Sequence, residues 1–263
     1  MSQEHASAQP EDQPVVRYAV EGAVATVTLD SPANRNALSR RLVAGFLDGL
    51  DRAAADPDVR VVVVAATGRV FCSGADLSEA ASGSMEEGAR TIVELQRRIL
   101  AHPTPVVVRA QGPVRAGGTG IVAAADVAVC AREATFALTE VKLGLAPAAI
   151  SLTVLPRMTS RSAALAALGG EVFDAEAAEA SGLVTRVVAA EELDAAVAEV
   201  CASFASGSAQ GLRETKRLLN RTLLADVEAR GDDLAALSAS LFGSEEAKAA
   251  MTAFLSRGRK QRG

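Results

Sequence analysis

The run Val59–Ala66 is a near-continuous β-branched segment with no polar alternation. A strand of that composition fits a position buried on both faces of a sheet. Val106–Ala110 and Val127–Cys130 repeat the pattern. Between such runs the spacing turns helical. Leu42, Phe46, Leu50 and Ala53 predict an amphipathic helix over Ser39–Ala55, ended by Asp56-Pro57. Ala89, Ile92, Val93, Leu95 and Ile99 predict a second over Glu86–Leu100, broken by Pro103 and Pro105. Strand–helix–strand–helix order is the mark of an α/β fold. Ahead of it, Val15–Tyr18 and Val24–Leu29 flank Glu21-Gly22 as a hairpin.

Beyond Pro147 the reading is helical: Ala149–Leu155, Ser160–Leu168, Ala175–Ser181, Glu192–Phe204, Ala209–Asp226, Asp232–Phe242 and Glu245–Leu255, with Val184–Val188 as the one strand. The chain therefore divides into a polar, disordered leader at 1–14, an α/β core at 15–200 and a helical C-terminal region at 201–263.

Composition removes several functions. A net charge of −5 argues against nucleic-acid binding, and the basic tail Arg257–Arg262 reads as a solvated end. No apolar run is long enough for a membrane span, and no secretory h-region precedes the fold. Cys72, Cys130 and Cys201 are widely spaced and odd in number, which points to a reduced, cytoplasmic protein without a disulfide framework or CxxC metal pair. His5 and His102 are the only histidines, and neither sits in a hydrolase or metal motif.

The stretch Gly112–Glu140 carries the chemistry. Gly117 and Gly118 stand where a strand gives way to a helix, so backbone can approach a ligand and free helical amides can face an oxyanion. Gly118-Thr-Gly-Ile-Val-Ala123 also matches a dinucleotide fingerprint. The helix it opens must end before Asp126, too soon for a dinucleotide-binding crossover, and no acidic residue follows the next strand for a ribose. Phe71-Cys-Ser-Gly-Ala-Asp-Leu77 likewise follows a buried strand. Singly each is an ordinary tight turn; together, at one sheet edge, they can aim two amides at one point, the geometry of an oxyanion hole.

These motifs resemble the crotonase (enoyl-CoA hydratase/isomerase) superfamily from about Val15 to Arg257. The resemblance rests on Asn34-Arg-Asn-Ala-Leu38, Phe71–Leu77, Gly112…Ala-Gly-Gly118…Asp126, Phe136-Ala-Leu-Thr-Glu140…Leu143-Gly144…Pro147, Gly182-Leu-Val184 and Phe254-Leu-Ser-Arg257 in that order. It implies a spiral of ββα units with a helical C-terminal trimerisation region. It implies an acyl-CoA substrate whose thioester carbonyl is held by the amides of Ala75 and Gly117, next to Gly118. Arg35, Ala37, Ser73, Asp76 and Leu77 would line the path of the CoA moiety, and Arg257 would reach the CoA of a neighbouring subunit. It implies a homo-oligomer, trimer or dimer of trimers, and no metal or redox cofactor, coenzyme A being part of the substrate. Asp76 is expected to bond local backbone, and Asp126 to be structural.

The acid–base equipment departs from the family pattern. Hydratases of this family use two glutamates; the second matches Glu140, but the first falls at Gly120. Taken alone, Glu140 would be an ordinary surface or ion-paired glutamate; the motif register assigns it the proton. A single carboxylate fits an enoyl-CoA isomerase, moving a proton between carbons, and leaves open an acyl-CoA-binding paralogue with little turnover. It also fits a hydratase branch for carboxylated, branched enoyl-CoAs, which Thr139–Ser151 resembles. The expectation is therefore a hydratase, with the isomerase second. Arg115, where the family has an apolar residue, is read as a surface or subunit contact, with pairing to a substrate's distal carboxylate as the functional alternative.

Overall fold

The computed structural model describes residues 14–76, 79 and 85–260. Residues 1–13 of the 1–14 leader and Leu77 lie outside the described residues, and for Arg257 the description covers its place in a helix but not its side chain.

A six-stranded sheet forms the centre, in the order β1 (Val16–Glu21), β2 (Val24–Leu29), β3 (Val61–Ala66), β4 (Val106–Ala110), β6 (Val127–Ala131), β9 (Arg186–Val188). Only the β1–β2 hairpin is antiparallel; every other neighbouring pair runs parallel. Every residue of β3 is buried, as its composition requires. The period-two pleat separates its side chains into two cores. Val62 and Val64 point towards the larger one, with Leu42, Phe46 and Leu50 of α1 (Arg40–Ala55) and Leu95 and Ile99 of α2 (Met85–Ala101). Val61 and Val63 point to the other, against Leu193, Val197 and Cys201 of α7 (Leu193–Ala205). Each fully buried Leu or Phe contributes about 1.5–3 kcal/mol over exposure, which secures α1 to the sheet. Ser39 starts α1 by accepting a hydrogen bond from the Leu42 amide at 3.2 Å.

A second, three-stranded sheet orders β5 (Val114–Arg115), β7 (Thr135–Ala137) and β8 (Val172–Asp174). Between β5 and β6 lies the short helix α3 (Gly117–Ala124), all of it buried. Then come α4 (Ala148–Arg157), α5 (Ser160–Gly169) and α6 (Ala175–Ser181); α8 (Ala209–Phe242) and α9 (Glu245–Lys260) close the chain.

Two expectations are corrected. Ala209–Asp226 and Asp232–Phe242 are not separate helices but one of 34 residues. Gly231 suggests a break, yet a Cβ there would come within 2.7 Å of Val93 Cγ1, so the glycine serves the close crossing of α8 over α2. β8 is a strand where the sequence offered none, three residues being too few for a periodic signal. The helix α7 runs through the 200/201 division and packs on β3, β4 and β6. No helix among the described residues is long and apolar enough to cross a membrane.

Candidate active site

Two turns meet at one corner. The segment after β3 forms a parallel bridge from Cys72 to Val114, which carries Gly74–Ala75 to the end of β5. A Cβ on Gly74 would lie 2.8 Å from the Cβ of Ala116, so the turns are in direct contact. Gly74 has φ +92, a region open to glycine at little cost. Ala116 has φ +45 without being glycine, strain of about 1–3 kcal/mol that its surroundings must hold.

The direction of both expected donors follows from their carbonyls. In a trans peptide the N–H points opposite to the C=O of the same plane. The Gly74 carbonyl accepts from Leu38 N at 2.8 Å, so the Ala75 N–H points away from Leu38. The Ala116 carbonyl accepts from Thr119 N at 2.8 Å and Gly120 N at 3.3 Å, so the Gly117 N–H leaves the helix at its N-terminal end. Among the described residues neither amide donates to a backbone acceptor, and Ala75 is exposed. Gly118 lets α3 lie on Cys72, whose Cβ a side chain would meet at 2.7 Å. Burial pushes the Cys72 thiol up to about 12, so it packs rather than reacts.

Glu140 follows β7, the strand that pairs with β5 in the second sheet. β5 and β7 are parallel, with Val114 opposite Phe136 and Arg115 opposite Ala137. Both therefore leave the sheet in the same direction, β5 into Ala116–Gly117 and β7 into the turn Thr139–Leu143. Glu140 Oε2 is buried and has no hydrogen-bond partner among the described residues. Desolvation raises its pKa above the ordinary glutamate value, opposed by a hydrogen bond to its own backbone. A buried carboxylate with one oxygen left unpartnered in this way can accept a proton and give it back.

The position of the missing first glutamate is filled. A Cβ on Gly120 would meet Ile150 Cγ2 at 3.0 Å and the Gln96 side chain at 3.3 Å. Gln96 is buried and bridges α2 to α4: its Nε2 donates to the Ala149 carbonyl at 2.9 Å, and its Oε1 accepts from Thr153 Oγ1 at 2.5 Å. Sequence reading passed over Gln96, although a polar residue four places after Ile92 on the apolar stripe of α2 was a signal.

The remaining expected residues divide. Arg35 and Asn36 both have positive φ, 52 and 53, and Ala37 is buried behind them. Ser73 joins this turn through its amide, 3.1 Å from the Arg35 carbonyl. Asp76 Oδ2 accepts from Asn34 Nδ2, 42 positions away, at 2.7 Å. Arg115 points its guanidinium at β7, donating to the Thr135 carbonyl at 2.6 Å and its hydroxyl at 3.0 Å. It pairs with no carboxylate among the described residues, and burial lowers its pKa. Asp126 accepts from Val106 N and Asn220 Nδ2 and pairs with Lys216. His102 is buried with its ring between the Leu50 and Thr104 carbonyls.

The family model described as enoyl-CoA hydratase/isomerase matches residues 19–262. A Bacillus subtilis relative named "Probable enoyl-CoA hydratase" is 30% identical over 253 residues, covering 94% of this chain and 97% of its own. The crystal structure of an enoyl-CoA hydratase from Mycobacterium avium is 44% identical, with a TM-score of 0.87 over 93% of this chain and 97% of that one. An enoyl-CoA hydratase/isomerase structure from Pseudoalteromonas atlantica is 27% identical, with a TM-score of 0.85 over 92% and 97%.

Proposed function

The chain belongs to the enoyl-CoA hydratase/isomerase family, with the crotonase fold, and from that premise we propose that it adds water across the α,β double bond of an enoyl-CoA thioester. What supports the reading is the contact of the Gly74 and Ala116 turns, whose following amides meet no backbone acceptor among the described residues, together with the buried Glu140 Oε2 just beyond β7, the strand paired with β5. The thioester oxygen accepts from the Ala75 and Gly117 amides. Water adds its oxygen to Cβ while Glu140 takes its proton, and the negative charge moves onto the thioester oxygen. Fixed amides stabilise that enolate without reorganising; each such donor is worth about 10²–10³ in rate. Glu140 then delivers the proton to Cα, restoring the thioester and completing a 3-hydroxyacyl-CoA.

The packed surroundings of Gly120 favour a second reading, an isomerase in which Glu140 takes a proton from the carbon next to the thioester and returns it two carbons away. A finer substrate assignment follows from Arg115. Its half-buried charge has neutral partners, which suits a carboxylated, branched enoyl-CoA. Separate incubations with crotonyl-CoA, 3-methylglutaconyl-CoA and a 3-enoyl-CoA distinguish these. Loss of enoyl absorbance with a 3-hydroxy product supports the hydratase, and a gain from the 3-enoyl substrate the isomerase; binding without turnover of any sinks both. If Arg115→Leu leaves the ratio of carboxylated to straight-chain turnover unchanged, the assignment to carboxylated substrates fails.

The chain is further read as a cytoplasmic homo-oligomer, trimer or dimer of trimers. Leu165, Leu168, Leu218 and Leu219 are each more than 70% exposed, apolar surface that a second copy would cover. Light scattering that returns a monomer at micromolar concentration would overturn this.

A further inference from the structure

The turn from Ser31 to Leu38 touches both donors of the proposed oxyanion site. Its backbone fixes one: Leu38 N–H holds the Gly74 carbonyl, the other half of the peptide that carries the Ala75 N–H. Its side chain backs the other, because Leu38 Cδ1 lies 2.7 Å from where a Cβ of Gly117 would stand. The turn is itself rigid. Asn36 is fully buried; its Nδ2 donates to the Thr67 and Val70 carbonyls at 2.9 and 2.8 Å, and its Oδ1 accepts from Ser31 N at 2.8 Å. Two successive non-glycine residues at positive φ, Arg35 and Asn36, give it a shape the chain would not adopt unheld.

Ala75 is gripped on both sides. Before it stands the Leu38–Gly74 bond; after it, the Asn34–Asp76 bond at 2.7 Å. A parallel bridge of Leu38 to Ala75 sets the backbone there, and the Asn34–Asp76 bond adds a side-chain hold just beyond it. We propose that the Ser31–Leu38 turn aligns the two oxyanion donors with each other, and that Asn34 is a positioning residue that acts through Asp76 on the Ala75 amide. The proposal rests on the oxyanion reading of Ala75 and Gly117. It adds that the alignment comes from a turn more than thirty residues earlier in the chain, and that one exposed side-chain bond completes it.

The test uses 2,4-hexadienoyl-CoA, whose absorbance moves to longer wavelength as hydrogen bonds polarise the thioester carbonyl, together with kcat and KM for crotonyl-CoA. Asn34→Ala is expected to lower kcat about 10-fold with KM nearly constant, a misaligned donor costing less than a deleted one. The bound dienoyl-CoA should show a smaller red shift than with the wild type. The double variant Asn34→Asp/Asp76→Asn exchanges acceptor and donor, keeps the bond, and should recover both readouts. Wild-type kcat and red shift in Asn34→Ala would overturn the proposal, as would a double variant no better than Asn34→Ala. A wild type that binds the dienoyl-CoA with no red shift refutes the oxyanion reading itself, a result separable from the other two.

Discussion

Two buried polar regions of this molecule are built on opposite terms. Where α8 docks on the core, Lys216 and Asp126 pair at 2.7 Å with 4% and 12% of their side chains exposed. Lys216 Nζ also donates to the Ile99 and Thr104 carbonyls, and Asn220 donates to Asp126. Arg157 adds a bond to the Ala123 carbonyl at the end of α3. Each charge there is met inside the chain. At the other end of α3, the Gly117 amide and Glu140 Oε2 are met by nothing inside it among the described residues. Buried polar groups that serve the fold are hydrogen-bonded, so the exceptions need a reason. Lack of a partner is not sufficient by itself, since Thr119 Oγ1 and Gln111 Oε1 share it. Glu140 differs in being a carboxylate whose protonation its surroundings control. One helix is thus anchored where its groups are satisfied and open where they are not.

That contrast breaks most sharply at Glu140. Glu140→Gln is expected to lower turnover about 10²–10⁴-fold, measured by steady-state kinetics. The same substitution at the anchor type of site should cost stability, not rate. Lys216→Met leaves the Asp126 charge buried and unpaired, an expected loss of about 3–5 kcal/mol in urea unfolding. Adding a group where the fold has closed the space should cost less. Gly120→Glu meets Ile150 and Gln96 and should lose about 1–3 kcal/mol without raising hydration.

The smallest effect is one of pH. A carboxyl whose folded pKa is raised binds its proton more tightly in the folded state than in the unfolded one. Its contribution is therefore present below the unfolded value and is lost as pH rises through the folded one. Glu140→Gln removes that loss, so the variant should melt above the wild type at neutral pH. The gap should close below the ordinary glutamate range of about 4.3. A gap that widens in acid would contradict the assignment of desolvation as the cause.

The same contrast explains what the sequence disclosed. The strands and α1 were legible because an apolar run or a helical stripe is a local pattern. So was the meeting of two strand exits, where a Cβ on Gly74 would stand 2.8 Å from that of Ala116. Glu140 was legible only through its motif register. Contacts made across the fold were not. The Asn34–Asp76 bond joins turns 42 positions apart, and Gln96 occupies the space at Gly120 only because α2 and α4 cross there. The unbroken course of α8 was hidden for the same reason: Gly231 faces a neighbour, Val93, that no local window contains.

Proton traffic at Cα tests the central claim most directly. With 3-hydroxybutyryl-CoA in heavy water, nuclear magnetic resonance follows deuterium entering the carbon beside the thioester carbonyl. The wild type should exchange that position, and folded Glu140→Gln, still binding the thioester, should exchange it at least about 10²-fold more slowly. Exchange at the wild-type rate in the variant would show that another group moves the proton and would contradict the role assigned to Glu140.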